Sequence, residues 1–388
     1  MRPTLVFSDL HLGPEQPRAG GSTQRSLSSL AELLAQLPEV DVVLAGDIFD
    51  YTLLDASLPV AEATSRFGAA YPQLFEALGL RAQRGQRVCF VPGNHDATLN
   101  ETSSQELLRR AFGEAGAQIS FAPWFIRLGD VHIEHGHRFD ADNTFMHPLA
   151  PHNPKTEPLG TALMRRFVAP NDAIVFAHGH TTTLTTGLRT ALAHFGTRAP
   201  RLIYNYFHTA LGLVREAKQL RGLRQKEAEL GQARLKQRAT ELGLSRECLE
   251  MLVELGAPAR HDSVSQTWMR LYFDRVLAAL TAFGGLALGL GGVGLPALAS
   301  TSLGSLYLLG SWLHAQERYG HGPSDPMAEG ARAIRAISSA ELVLFGHSHE
   351  VRSEPGYINL GSFTFAEGAR RAVLLSSAGK PEILELPL

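Results

Sequence analysis

Five short stretches of this chain carry side chains able to bind metal ions and move protons. They are Asp9-Leu-His11, Gly46-Asp47-Ile-Phe-Asp50, Gly93-Asn94-His95-Asp96, His135-Gly-His137 and Gly346-His347-Ser-His349. Taken singly, each reads equally well as polar residues in a turn. Taken together, they offer carboxylates, imidazoles and one amide oxygen without a thiolate, the donor composition of a dinuclear site for divalent cations. Successive residues i and i+2 of a strand share a face, so His347 and His349 are expected to point together once Val343 to Phe345 enter a sheet.

The elements that must position these groups are legible as punctuation. In the first third, short apolar runs at Thr4, Asp41 and Arg87 end in Gly, Asp, Asn or His. Helix-like segments, Leu27 to Leu37 and Tyr71 to Gln83, lie between them, which is the pattern of an α/β layered domain. Ligands of open α/β sheets gather beyond the carboxyl ends of the strands, where the polar clusters stand. Trp124 to His137 predicts a hairpin turning at Gly129-Asp130.

From about Asp140 to Ala336 the composition changes. A Pro- and His-containing loop is followed by helical segments, a basic stretch from Arg215 to Arg238 and an uncharged run from Val276 to His314. Strand-like runs resume at Glu341, Tyr357, Ala372 and Glu382, as though completing the first sheet system. The expected organisation is one domain in two parts, 1–139 and 337–388, interrupted by a mostly helical insertion over 140–336.

In this order, the five motifs resemble those of the calcineurin-like metallophosphoesterases, over roughly the first 140 and last 50 residues. The resemblance implies a four-layer α/β/β/α sandwich and two divalent ions, manganese, iron or zinc, bridged by one carboxylate. It implies Asp9, His11, Asp47 and His349 as ligands of one ion and Asp47, Asn94, His135 and His347 as ligands of the other. It further implies attack on phosphorus by a metal-bridging hydroxide, with His95 protonating the leaving oxygen and Asp50 holding the other ring nitrogen of His95. Asp96 would support the turn. SDLHLG, GDIFDY and HGHRFD are most similar to the branch that contains UDP-2,3-diacylglucosamine pyrophosphohydrolase, although His95 stands where arginine is expected there and the insertion is longer. The implied substrate is therefore a phosphorylated small molecule or a lipid-linked diphosphate. A soluble phosphodiesterase, a protein phosphatase and a non-catalytic membrane scaffold are the competing readings.

Neighbouring histidines divide by position. His132 is an odd number of residues from His135 and should face the other side of its strand, whereas His137 shares the His135 face and could touch substrate or metal. His178 and His180 follow another apolar run and mimic the last motif, but they lack the Asn-x-Gly-Ser that follows it at Asn359 and are expected to be structural.

Bulk properties exclude little and still constrain. A chain of 388 residues with a formal charge of −2 has no overall field to favour nucleic acid. Two distant cysteines, Cys89 and Cys248, fit a reducing compartment, and the amino terminus reads as a strand rather than a signal peptide. The run from Val276 to His314 contains no Asp, Glu, Lys or Arg and approaches the length of two membrane crossings separated at Gly294-Leu295-Pro296. With Arg270, Arg275 and Arg318 outside it, the run predicts association with the cytoplasmic face of an inner or plasma membrane; otherwise the protein is cytoplasmic.

Overall fold

The protein is described by a computed structural model covering residues 2–13, 22–54, 60–176, 184–314, 322–365 and 370–386. It divides into two compact units. The first comprises residues 1–165, 222–259 and 323–388, and the second residues 166–221 and 260–322. The segment 140–336 is thus shared between them.

The first unit contains two sheets. One orders its six strands β11-β10-β1-β2-β3-β4, with β1 Thr4–Phe7, β2 Asp41–Ala45, β3 Val88–Val91, β4 Ile119–Phe121, β10 Arg370–Leu375 and β11 Pro381–Leu386. The strands β1 to β4 are mutually parallel, while β10 runs antiparallel to β1. The other sheet orders five strands β5-β6-β7-β9-β8, with β5 Phe125–Leu128, β6 Val131–Glu134, β7 Leu342–Phe345, β8 Val351–Glu354 and β9 Tyr357–Leu360. β5 and β6 form the expected hairpin, in register Leu128 to Val131 across Gly129-Asp130. Strands from the end of the sequence therefore enter both sheets.

Period-two alternation sorts the side chains into separate cores. Val6, Val43 and Val91 from the six-stranded sheet cluster with Ile133, Leu344 and Ile358 from the five-stranded sheet. Leu5, Phe7 and Phe90 project the other way, onto Leu34 of α1 (Ser22–Gln36), Phe67 of α2 (Val60–Ala70), Leu78 of α3 (Pro72–Gln83) and Leu108 of α4 (Thr102–Ala111). Val343, Phe345 and Tyr357 pack on a further helical group that includes Leu235, Leu249 and Ile334. Buried on both faces, these short strands read as continuous apolar runs.

In the second unit, α6 (Leu184–Phe195), α7 (Ala199–Gln219) and α10 (Val264–Arg270) accompany a helical hairpin of α11 (Phe273–Leu290) and α12 (Gly294–Leu313). Among the described residues α11 is long and apolar enough to cross a membrane, by length and composition. The second helix of the expected pair falls short: Ser300, Thr301, Ser302, Ser305 and Ser311 dilute its hydropathy.

α8 (Arg221–Leu242), from the basic stretch, turns Arg224, Glu227, Gly231, Leu235 and Arg238 into the first unit as one helical face. Arg238 donates to the Phe125 carbonyl at 2.6 Å and Arg234 to the Leu149 carbonyl at 3.2 Å. These arginines brace the sheet edge and the loop.

Candidate metal centre

The strands end just before the polar residues, and the loops turn sharply there. Among the described residues eight non-glycine positions have positive φ, and five of them are Asp9, His11, Asp47, His347 and His349. Such backbone costs of order 1–3 kcal/mol per residue and persists only where the surroundings enforce it. Here lies the correction to the strand argument for His347 and His349. β7 stops at Phe345, and both histidines are turned by left-handed loop residues, at φ of 65° and 58°, rather than by strand alternation.

Close approach explains the glycines that precede ligands. A Cβ on Gly93 would overlap the Asp47 carboxylate, and one on Gly346 would overlap Asp9 and Ser8.

The turns bring the residues of four motifs into one buried group. His349 Nε2 lies 3.2 Å from Asp9 Oδ1 and 3.0 Å from His11 Nε2. His11 Nε2 is 3.9 Å from Asp47 Oδ2, and on its other side the same oxygen is 3.1 Å from His135 Nε2. His347 clusters with Asp47 and His135. Asp47 Oδ2 thus faces both groups of histidines while its Oδ1 accepts from the His95 backbone N–H at 2.8 Å. His135 Nδ1 lies 3.0 Å from the Ala45 carbonyl; donating to it leaves Nε2 with the lone pair for a cation.

Asn94 occupies the fifth position. Its Nδ2 donates to Asn143 Oδ1 at 3.3 Å, while its Oδ1 is buried without a hydrogen-bond partner. Asp9 Oδ1 is likewise buried and unpaired by hydrogen bonds. Buried acceptors left in this way, among imidazoles and carboxylates, fit divalent cations coordinated by oxygen and nitrogen.

The charges agree with that fit. Burial pushes the Asp47 carboxyl up, but the imidazoles of His135 and His95 outweigh it and hold the group well below the usual carboxylate range. Asp9 is lowered in the same sense, burial again being overcome by His135, His11 and His349. For His135, burial works downward, and Asp47 and Asp9 raise the ring to about 9.

His95 and Asp50 form a second arrangement beside the first. His95 Nδ1 is 3.1 Å from Asp50 Oδ1, which also accepts from the Thr52 backbone N–H at 3.0 Å and the Thr52 hydroxyl at 2.5 Å. Burial lowers the His95 ring, yet Asp50 and Asp47 leave it raised above the ordinary histidine value. Asp50 Oδ2 also lies 3.6 Å from His11 Nδ1, so one carboxylate orients two rings. Asp96 accepts from the backbone N–H groups of Gly93, at 2.6 Å, and Ile48, at 2.8 Å, tying the two loops together. Burial and then Asp47 raise its pKa to about 6.

The other histidines separate as follows. His137 has its ring centroid 5.5 Å from His135 and 6.3 Å from His347. Burial, then His135 and His347, depress it to about 3, so it is neutral. His132 lies fully buried on the opposite side, bonded to Glu134 at 2.9 Å and stacked on Phe125. His178 and His180 lie outside the described residues.

Two contributors escaped sequence reasoning. Asp140 Oδ2 lies 3.1 Å from His347 Nε2 and accepts from Asn143 Nδ2 at 2.8 Å. Asn143 therefore links Asn94 to Asp140, and through it to His347. Arg138 of HGHRFD is committed to structure, donating to Glu134 at 2.9 Å and to the Leu252 carbonyl at 2.6 Å.

A family model described as calcineurin-like phosphoesterase matches residues 2–207 of the chain. No curated protein matches it. The matched span holds Asp9 to Asn143, and the structure adds His347 and His349 from beyond it.

Proposed function

The chain belongs to the calcineurin-like phosphoesterase family, and from that premise we propose that it hydrolyses a phosphoester or diphosphate bond at a dinuclear centre. The carrying observation is Asp47 Oδ2, 3.9 Å from His11 Nε2 and 3.1 Å from His135 Nε2, so that one carboxylate would be within reach of both groups of candidate ligands. Asp9, His11, Asp47 and His349 would hold one ion, and Asp47, Asn94, His135 and His347 the other. Divalent ions there supply Lewis acidity, lowering the pKa of a coordinated water and neutralising phosphoryl charge. Manganese, iron and zinc all suit this donor set. We read the two facing sheets and their outer helices as the four-layer sandwich of the family.

The chain's own residues supply the proton chemistry. His95 would donate its proton to the departing oxygen, and the Asp50 carboxylate stabilises the cationic ring and fixes its orientation. Asn143 would keep the Asn94 amide turned with its oxygen inward. A lipid-linked nucleotide diphosphate is the substrate class supported by the resemblance of SDLHLG, GDIFDY and HGHRFD. Incubation with nucleotide diphosphate lipids, nucleotides and aryl phosphodiesters, with products identified by mass, tests the reading. Asp47→Asn should abolish turnover of every substrate and lower bound metal while leaving the circular dichroism unchanged. Retention of full metal and near-normal rate would refute the shared carboxylate.

A further inference from the structure

The hairpin of α11 and α12 is built inside out. Beyond Arg275 at the base, the buried residues where its helices meet are small and recur every seven positions: Ala278 and Gly285 on one helix, Ala297, Gly304 and Ser311 on the other. A Cβ on Gly285 would overlap Thr301 and Ala297, and one on Gly304 would overlap Ala278 and Ala282, so the backbones approach as small residues permit. The large side chains point away. Leu277, Leu280, Phe283, Leu286 and Leu290 are each more than half exposed, and at about 100° per residue they cover about 180° of the helix. Leu295, Leu298, Leu303, Leu306 and Leu309 are likewise more than half exposed on α12, over about 140°. A water-soluble hairpin would be arranged the other way round.

We propose that this hairpin enters the hydrocarbon interior of a lipid bilayer tip first and ends there, as a monotopic anchor that does not cross. Exposure on all outer sides selects the occupant, since a second copy of the chain would cover one face and leave the rest in water. The tip is apolar as well. Gly291, Gly292, Val293 and Gly294 separate Leu290 and Leu295, which are 87 % and 82 % exposed, and offer no polar side chain to water on a far side. Eighteen residues of α11 extend about 27 Å, and a bilayer's hydrocarbon core is about 30 Å thick. Polar pairs close the other end: Arg275 Nε donates to Ser311 Oγ at 2.7 Å and Tyr307 Oη to Asp274 at 2.6 Å. Trp312, 69 % exposed beside this end, suits the headgroup boundary.

The proposal is independent of the hydrolytic reading, and its test keeps the two apart. Full-length protein with a fluorophore on Leu290→Cys, in a Cys248→Ser background, is mixed with vesicles of phosphatidylcholine and phosphatidylglycerol. It should float with them through high salt and carbonate. The fluorophore should be quenched by lipids brominated in the acyl chain and shielded from dithionite on both sides of the membrane. Leu290→Asp with Leu295→Asp should lower the vesicle-bound fraction about a hundredfold or more, while retaining turnover of a soluble aryl phosphodiester. A full chain that is monodisperse without detergent and does not float would overturn the proposal. So would reduction of the fluorophore from the far side, which means crossing, or quenching that follows self-association without vesicles, which means a second copy.

Discussion

His95 is the residue whose role is most sharply separable from metal binding. Its ring is held by Asp50 at 3.1 Å, and Asp50 is in turn held by Thr52. His95→Ala should slow substrates with poor leaving groups by about a hundredfold or more, and activated aryl phosphates much less, because those depart with little protonation. Equal losses measured on both substrates would make His95 a binding residue instead. Asn143 gives a different signature. If Asn94 and His347 hold an ion as proposed, Asn143→Ala should weaken metal binding by about tenfold to a hundredfold, read by calorimetric metal titration, without changing the fold. Unchanged affinity would show that the Asn94 amide needs no such support. The candidate ligands stood out in sequence because glycine precedes Asp47, Asn94 and His347, a combination that turns alone rarely repeat. Asn143 and Asp140 were not legible, since their importance comes from hydrogen bonds to partners 49 and 207 residues away.

At the scale of elements, the strands were readable from apolar runs, but the manner in which they present ligands was not. Strand periodicity predicts the direction of a side chain only as far as the strand extends, and β7 ends two residues before His347. The left-handed turns beyond it depend on close packing against Asp9 and Ser8, which no local pattern announces. The basic stretch shows the same limit: charge is visible in sequence, whereas the burial of Arg224 and Arg238 depends on what α8 meets. One ion pair supports the loop after Asp50. Arg165 binds both oxygens of buried Glu157, at 2.8 and 3.0 Å, and donates to the Tyr51 carbonyl at 3.0 Å. Breaking a fully buried pair costs roughly 3–5 kcal/mol; with Arg165 20 % exposed, Glu157→Gln should cost about 2 kcal/mol in urea unfolding. Burial raises the Glu157 carboxyl, but His152 and Arg165 leave it depressed. Its contribution is therefore complete above the usual glutamate range and lost as pH falls through the lowered value. The difference between wild type and Glu157→Gln should shrink in acid, and a gap independent of pH would show that the charge is not what matters.

For the whole molecule, the first third of the sequence discloses a sheet and most of a site, but neither is finished there. β10 lies between β11 and β1, and β7 and β9 complete the sheet begun by β5 and β6. Division into units was harder to read than the motifs, because 140–165, 222–259 and 323–336 look like insertion in composition yet belong to the first unit. Their apolar faces carry the third core, where Leu235, Leu249 and Ile334 meet Phe345 and Tyr357. The meeting of His11 with His349, 338 residues later, has a consequence for how the protein is made. At roughly 5–20 residues per second, the ribosome releases Asp9 and Asp47 well before their last partners exist. The nascent chain must therefore remain without its full set of candidate ligands until the strand at Leu342 and the turn after it have emerged. By then Phe273–Leu313 has already been made, so any lipid that receives the hairpin meets the chain before a complete metal centre can.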